Sequence, residues 1–233
     1  MIMLKKYTKH VLVFMMTTFI CIAALLLVCQ IPQSAIEENS RASAEYFLEQ
    51  EAFPLLKTGR ENTRIDNYAD CVLFDVIWYT DSENSFRSMI TAPYHRNEGA
   101  DARDDYYGAI AEGKEANSEY SRYWHGSQVL IRPLLTFTSI TGIRGILFGL
   151  LIGLNAALLF LLFRKKYFRV MIVYLISMLF VHVWMTAFSL EYIMTFLVMT
   201  AICIAVAASK KTLSDESEQW ILHVFIVAGS VTC

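Results

Sequence analysis

The feature that most constrains this chain is a series of apolar segments, each about as long as a membrane-crossing helix. The first, residues 11–31, carries no charged side chain, and an α-helix needs about 20 apolar residues to cross the hydrocarbon core of a bilayer. Further segments follow at about 145–163, 170–188 and 190–208. The pattern predicts an all-α integral membrane protein, built as a helical bundle of four spans.

A fifth apolar segment, residues 220–233, is too short to complete a span. A span cut short in this way predicts a truncated fifth helix, and therefore a chain that is a fragment of a longer protein. The first segment also has a competing interpretation as a cleaved signal peptide. Signal h-regions run to about 7–15 residues, so the longer stretch here favours an uncleaved anchor.

Basic residues form three clusters beside these segments. Cytoplasmic loops of membrane proteins carry the excess of Lys and Arg, so the clusters predict a cell-membrane protein with a cytoplasmic N-terminus at 1–10. A long extracytoplasmic loop then covers 32–143, and the remaining spans form a transmembrane bundle at 144–233. The clusters are Lys5, Lys6 and Lys9; Arg164, Lys165, Lys166 and Arg169; and Lys210 and Lys211.

The charge of the predicted loop limits what it can bind. It contains 18 acidic and 10 basic residues, a net charge of −8, which argues against nucleic acid or an anionic lipid surface as its ligand. Membrane lipid around the spans is the expected partner.

The five cysteines are scattered, and no CxxC motif or Cys/His cluster has metal-ligand spacing, so no metal site is predicted from ligand spacing.

The loop begins with two predicted helices. Ser34 and Glu37 have the spacing of a capping box, and apolar residues at helical spacing predict an amphipathic helix over 34–52. In the second helix Asp66 and Asp70 lie four residues apart, on one face. Such a carboxylate pair suits metal binding or general-base catalysis; alternatively, Asp66 closes a capping box with Thr63.

Residues 81–103 are polar and predict a long irregular loop in which His95 is exposed. After it, residues 119–126 combine aromatic and basic side chains just before the second span. We predict a catalytic role for His125 and substrate contacts for Arg122, Tyr123, Trp124 and Arg132. The alternative is a membrane-interface position, because tyrosine and tryptophan concentrate at such interfaces.

The second span carries a stripe of small residues. Gly145, Gly149 and Gly153 recur every four residues, a spacing that lets two membrane helices approach closely. We predict a helix-packing face there. We also expect the unit that carries Asp66 and Asp70 to pack against the unit that carries Arg122 and His125, around one cavity near the outer membrane interface, because an acid pair is less costly when cations face it.

The motifs IDNYAD at 65–70 and YSRYWHG at 120–126, placed after one anchor and before further spans, resemble those of uncharacterised multi-pass membrane proteins of Gram-positive bacteria. The layout is also loosely similar to that of C-type-fold integral-membrane glycosyltransferases, which use lipid-linked sugars. In those enzymes the first outside loop supplies a catalytic acid. The matching residues here are Asp66 and Asp70, or Glu37 and Glu38 near the first span.

The resemblance implies glycosyl transfer onto envelope glycans, with a polyprenyl-phosphate sugar as the donor. A carboxylate would then act as general base or hold a divalent metal against the phosphate, and Arg122, Arg132 or His125 would counter the leaving-group charge. Two other classes remain open. One anchor, an outside domain and three more spans is also the plan of permease-type transporter subunits, and a membrane sensor would use the loop to bind a ligand.

Overall fold

A computed structural model describes residues 2–121, 125–209, 220, 222–227 and 229. Nearly all of its regular structure is helical, with one short antiparallel pairing of β1 (Pro93–Tyr94) and β2 (Ser118–Glu119). The helices are α1 (Ile2–Cys29), α2 (Glu37–Leu48), α3 (Asn67–Trp78), α4 (Ser85–Thr91), α5 (Ala102–Ala111), α6 (Gln128–Leu135), α7 (Ile140–Arg164), α8 (Phe168–Phe180) and α9 (Leu190–Ala208).

Three helices of the described chain are long and apolar enough to cross a membrane: Thr8–Cys29 within α1, then α7 and α9. Their mean hydropathies are 2.8, 2.6 and 2.1. The segment expected to cross at 170–188 forms α8, of 13 residues, which spans only about 20 Å at 1.5 Å per residue. The four-span count therefore stays a prediction. Residues 222–227 of the fifth segment are helical, and much of its remainder lies outside the described residues.

The chain divides into two compact units. The first, called the loop unit, comprises Ala23–Ile146 and Ala187–Glu191, and it includes the predicted outside loop at 32–143. The second, called the span unit, comprises Met1–Ile22, Leu147–Thr186 and Tyr192–Cys233. Helices α1, α7 and α9 each begin in one unit and end in the other.

The core of the loop unit is formed by α2, α3 and α5. The rings of Phe47, Phe74 and Tyr106, one from each helix, meet edge-to-face with centroids 5.8–6.3 Å apart, the geometry that aromatic quadrupoles favour. All three side chains are fully buried. The Tyr106 hydroxyl also donates a hydrogen bond to the Ser40 carbonyl oxygen at 3.0 Å, so its polar end is satisfied inside the core.

Helix α6 is held against this core by the fully buried Arg132. Its guanidinium donates to the carbonyl oxygens of Ile77, Thr80 (3.0 Å) and Ile31 (2.6 Å). Ile77 lies in the last turn of α3, Thr80 lies two residues beyond the end of α3, and Ile31 lies two residues beyond the end of α1. Unpaired carbonyls at helix ends carry negative partial charge, so this buried cation is stabilised without a carboxylate partner in the described chain.

Several local predictions are corrected by the structure. Helix α2 begins after Ile36 with no side-chain cap, because Ser34 lies in a preceding 3₁₀ turn (Gln33–Ala35); the predicted capping box is wrong. The stretch 81–103 is not irregular throughout, since it contains α4 and β1. His95 is buried rather than exposed, because its position after β1 brings it against α3.

The predicted packing face on α7 is open to its surroundings. A methyl group added at Gly145, Gly149 or Gly153 would meet no described atom within 4 Å. Close approach of another helix to this stripe stays a prediction. Elsewhere in the span unit, Tyr174 of α8 donates a hydrogen bond from its hydroxyl to Asn155 Oδ1 of α7 at 2.6 Å. The polar side chain of Asn155 therefore has its partner on the neighbouring helix.

Candidate functional site

Asp66 begins helix α3. Its Oδ1 accepts a hydrogen bond from the Ala69 amide at 2.8 Å, so it is the N-cap residue itself and not the third helical residue of a box opened by Thr63. Its carboxylate therefore satisfies one of the unpaired amides of the first turn. The side chain is half-buried, and no hydrogen bond to its Oδ2 occurs in the described chain, so this oxygen remains available to a ligand.

Asp70, one turn later, is buried and fully engaged. Its Oδ2 pairs with Arg144 Nη2 at 2.6 Å, and both of its oxygens accept from the Leu190 amide at 3.1 Å. The same Arg144 nitrogen donates to Asn67 Oδ1 at 2.9 Å. Asp70 thus joins α3 to the N-terminal parts of α7 and α9.

The charge state of Asp70 follows from two opposing effects. Burial raises the pKa of its carboxyl, while the Arg144 guanidinium and the Leu190 amide lower it. The net result is a pKa of about 6, above the ordinary value of 3.8. The group is therefore mainly ionised at pH 7, at the positive N-terminal end of α9. With both oxygens occupied and 1% of the side chain exposed, Asp70 acts as an anchor for neighbouring helices and has no free oxygen for a substrate.

The anchor brings a third carboxylate into the region. Leu190 is the first residue of α9, so its bond to Asp70 fixes the position of Glu191 in the first turn. Glu191 is exposed, and its carboxylate lies within electrostatic range of Asp66. We call these two residues the Asp66–Glu191 pair: two solvent-accessible acids at the starts of α3 and α9, the two helices that the buried Asp70 connects through the Leu190 amide.

Two aromatic side chains stack near the start of α3. Tyr68 in the first turn of α3 stacks on Phe53, with ring centroids 5.9 Å apart and an angle of 17° between the rings. They remain 39% and 43% exposed, so ring surface is left open to solvent. We call this pair the aromatic platform. The exposed Arg96 lies within electrostatic range of Tyr94 and Tyr68, which supplies a cation to the same surface.

The remaining predicted site residues divide into three cases. Arg122, Tyr123 and Trp124 lie outside the described residues. His125 Nε2 donates to the Tyr120 carbonyl oxygen at 2.8 Å, and burial lowers the pKa of its imidazole, so it is neutral at pH 7. Arg132 is enclosed by backbone carbonyls, and its complete burial is at odds with a substrate contact in this conformation.

The cation beside Asp70 is Arg144, which sequence reasoning did not select. A signal was present, because an ionised residue near a predicted span is a default candidate for function. Glu191 carried a similar signal, as the acid in the turn between two apolar segments. Nothing in the local sequence indicates that Phe53 stacks on Tyr68, since the contact joins residues in separate segments.

A second buried carboxyl lies farther along α3. Asp75 Oδ2 accepts from the His95 amide at 3.0 Å, while its Oδ1 has no partner in the described chain. His95 Nδ1 donates to the Glu115 carbonyl oxygen at 2.8 Å. Burial raises the pKa of Asp75 to about 8, so this carboxyl is mostly protonated at pH 7 and joins α3 to the β1 segment.

Within the described residues, no group of three or more His, Cys, Asp or Glu side chains is arranged to hold a metal ion. No family model, curated protein or solved structure matches this chain. Function is therefore inferred from the chemistry of the Asp66–Glu191 pair and its surroundings.

Proposed function

We propose that this membrane protein is a glycosyltransferase that takes a sugar from a polyprenyl-phosphate carrier at the outer face of the cell membrane, with its N-terminus in the cytoplasm. The observation that supports this most is the Asp66–Glu191 pair beside the aromatic platform. Glycosyl transfer needs a carboxylate that can reach an acceptor hydroxyl. Aromatic rings also offer an apolar face to the C–H groups of a sugar ring.

The chemistry assigned to these residues is a single displacement. One carboxylate of the pair removes the proton from the acceptor hydroxyl, and the freed oxygen bonds to the anomeric carbon of the sugar. The bond between that carbon and the carrier phosphate breaks, and the phosphate leaves with the electron pair. Arg96 faces the charge that develops on the leaving phosphate, while Phe53 and Tyr68 orient the sugar ring.

A divalent metal is compatible with this arrangement. Magnesium is commonly held by one or two carboxylates together with substrate phosphates and water, and the Asp66–Glu191 pair supplies two carboxylates. When bound, such an ion would neutralise charge on the carrier phosphate. Asp70 has no part in the chemistry: it is a positioning residue that sets the distance between the two acids through Leu190.

The test uses the full chain purified into lipid vesicles that contain polyprenyl-phosphate-linked radiolabelled glucose, galactose or N-acetylglucosamine. The measurement is release of the labelled sugar to water or to an added alcohol. We expect release by the wild type with at least one donor, and its loss in Asp66→Asn and Glu191→Gln. The matched controls Asp104→Asn and Glu98→Gln, at exposed acids of the loop unit, should keep the activity.

Two results would contradict the transferase proposal: no release from any of the three donors by folded wild-type protein, or equal release by the wild type and both pair variants. Folding of each variant is checked by circular dichroism and thermal unfolding in detergent. This check separates a lost catalytic group from a lost structure, because the pair is solvent-accessible and its removal should leave the core intact.

A permease-type subunit or sensor is the second candidate, and one observation favours it. Asp70 bonds to the N-terminal parts of both α7 and α9, two helices long enough to cross a membrane. A ligand-dependent movement of α3 would therefore move the first residues of both helices. Stoichiometric recovery of a cytoplasmic ATPase with the chain from native membranes would favour this function over the transferase.

A further inference from the structure

Helix α4 exposes two of its large apolar side chains. Phe86 and Ile90 lie four residues apart, on one face of the helix, and are 62% and 52% exposed. Ser88 lies between them in sequence but is buried, and its hydroxyl accepts a hydrogen bond from the Asp81 amide at 2.9 Å. The helix is therefore fixed to the loop unit by its polar face and directs its apolar face outward.

The depth of α4 in a membrane follows from the groove that it shares with the end of α1. A groove of about 830 Å³ is lined by Leu26 and Gln30 at the end of α1 and by the 82–87 segment, including Phe86 and Arg87. The apolar part of α1, Thr8–Cys29, has 22 residues. At 1.5 Å per residue it is about 33 Å long, close to the hydrocarbon thickness of about 30 Å.

Leu26 and Gln30 must then lie on either side of the boundary between hydrocarbon and headgroups. Phe86 lines the same groove, so it lies near that boundary. The exposed apolar surface of α1 continues to this level, since Leu27 is 66% exposed. The apolar face of α4 therefore extends a surface that already suits lipid.

We propose that α4 is a lipid-contacting helix, in which Phe86 and Ile90 insert among the acyl chains of the leaflet reached by the C-terminal end of α1. Arg87 lies at the level of the lipid phosphates. Glu83 lines the same groove, so the two charges balance, and insertion of the apolar side chains drives the contact without requiring anionic lipid. The inference is independent of the transferase proposal, since it depends only on the depth of α1.

The test places a photoreactive benzoyl-phenylalanine at position 86 or, in a separate variant, at position 90 of the full chain. Each variant is reconstituted into phosphatidylcholine vesicles, illuminated and analysed by mass spectrometry. We expect both to gain the mass of one phospholipid, as should a positive control at Phe19, which is 71% exposed on the apolar part of α1. A control at the exposed Glu98 should gain none.

Adding phosphatidylglycerol should leave the yield of adduct unchanged. A lipid adduct at Phe19 without one at 86 or 90 would overturn the proposal, because α4 would then lie clear of the bilayer. Cross-linking of positions 86 and 90 to protein in place of lipid would also overturn it, since the apolar face would then be a protein–protein contact.

Discussion

Replacing Asp70 with Asn should strongly destabilise the loop unit. Asn keeps the volume of the side chain and can still accept the Leu190 amide, but it removes the negative charge beside Arg144. The Arg144 side chain is only 7% exposed, and it would retain Asn67 Oδ1 as a neutral partner. Removing one member of a buried ion pair typically costs about 3–5 kcal/mol, because the other charge is left buried and uncompensated.

The reverse change, Arg144→Met, should cost less. Burial has already raised the pKa of the Asp70 carboxyl to about 6, and loss of the guanidinium would raise it further. In Arg144→Met, the unpaired Asp70 carboxyl can take up a proton at pH 7 and become neutral. In Asp70→Asn, the unpaired Arg144 guanidinium cannot lose its proton and stays charged. The double variant should be less destabilised than the sum of the two single variants, with a coupling free energy on the order of 1–3 kcal/mol.

The free energies are measured by unfolding the full chain in mixed detergent micelles with increasing dodecyl sulfate, followed by circular dichroism. Asp104→Asn, at an exposed acid of α5, is the control and should change stability by less than about 0.5 kcal/mol. The reasoning is refuted if Asp70→Asn costs less than about 1 kcal/mol, or if the two single effects add within about 0.5 kcal/mol.

Three further predictions concern one buried carboxyl and two glycines of α7. The raised pKa of Asp75, about 8 against an ordinary 3.8, means that its contribution to stability is fully present below pH 4 and is lost as the pH rises through 8. Asp75→Asn should therefore flatten the pH dependence of thermal unfolding over that interval; an unchanged profile would show that the carboxyl does not titrate there. In α7, Gly142→Ala should destabilise, since its methyl group would lie 2.9 Å from Thr138 Cβ. Gly149→Ala, which meets no described atom within 4 Å, should instead stabilise by about 0.5–1 kcal/mol through helix propensity, and destabilisation there would indicate that a helix packs on the glycine stripe.

The sequence alone predicts those structural features that depend on residues adjacent in the chain. The long apolar runs of α1, α7 and α9 were recognisable because crossing a bilayer requires about 20 consecutive apolar residues. Asp66 was recognisable as a residue of a helix start, although its place in the cap was displaced by three positions. The 170–188 segment shows the limit of this signal: its apolar composition predicted one span, yet the helix ends at Phe180, and His182 just beyond it has a positive φ of 51°.

The partners of the buried charges were decided by tertiary structure. Asp70 pairs with Arg144, 74 residues later, and with the Leu190 amide, 120 residues later; no periodicity or motif spacing relates these positions. The sequence predicts an exposed His95 and a substrate contact for Arg132, yet both side chains are buried. Their burial depends on carbonyl and carboxylate groups from helix ends elsewhere in the chain, which converge only when α3 packs in the loop unit.

The sequence determined which segments suit lipid, because that is a sum over adjacent side chains. Only the fold decided which acids stay accessible, because accessibility depends on what the rest of the chain places beside them.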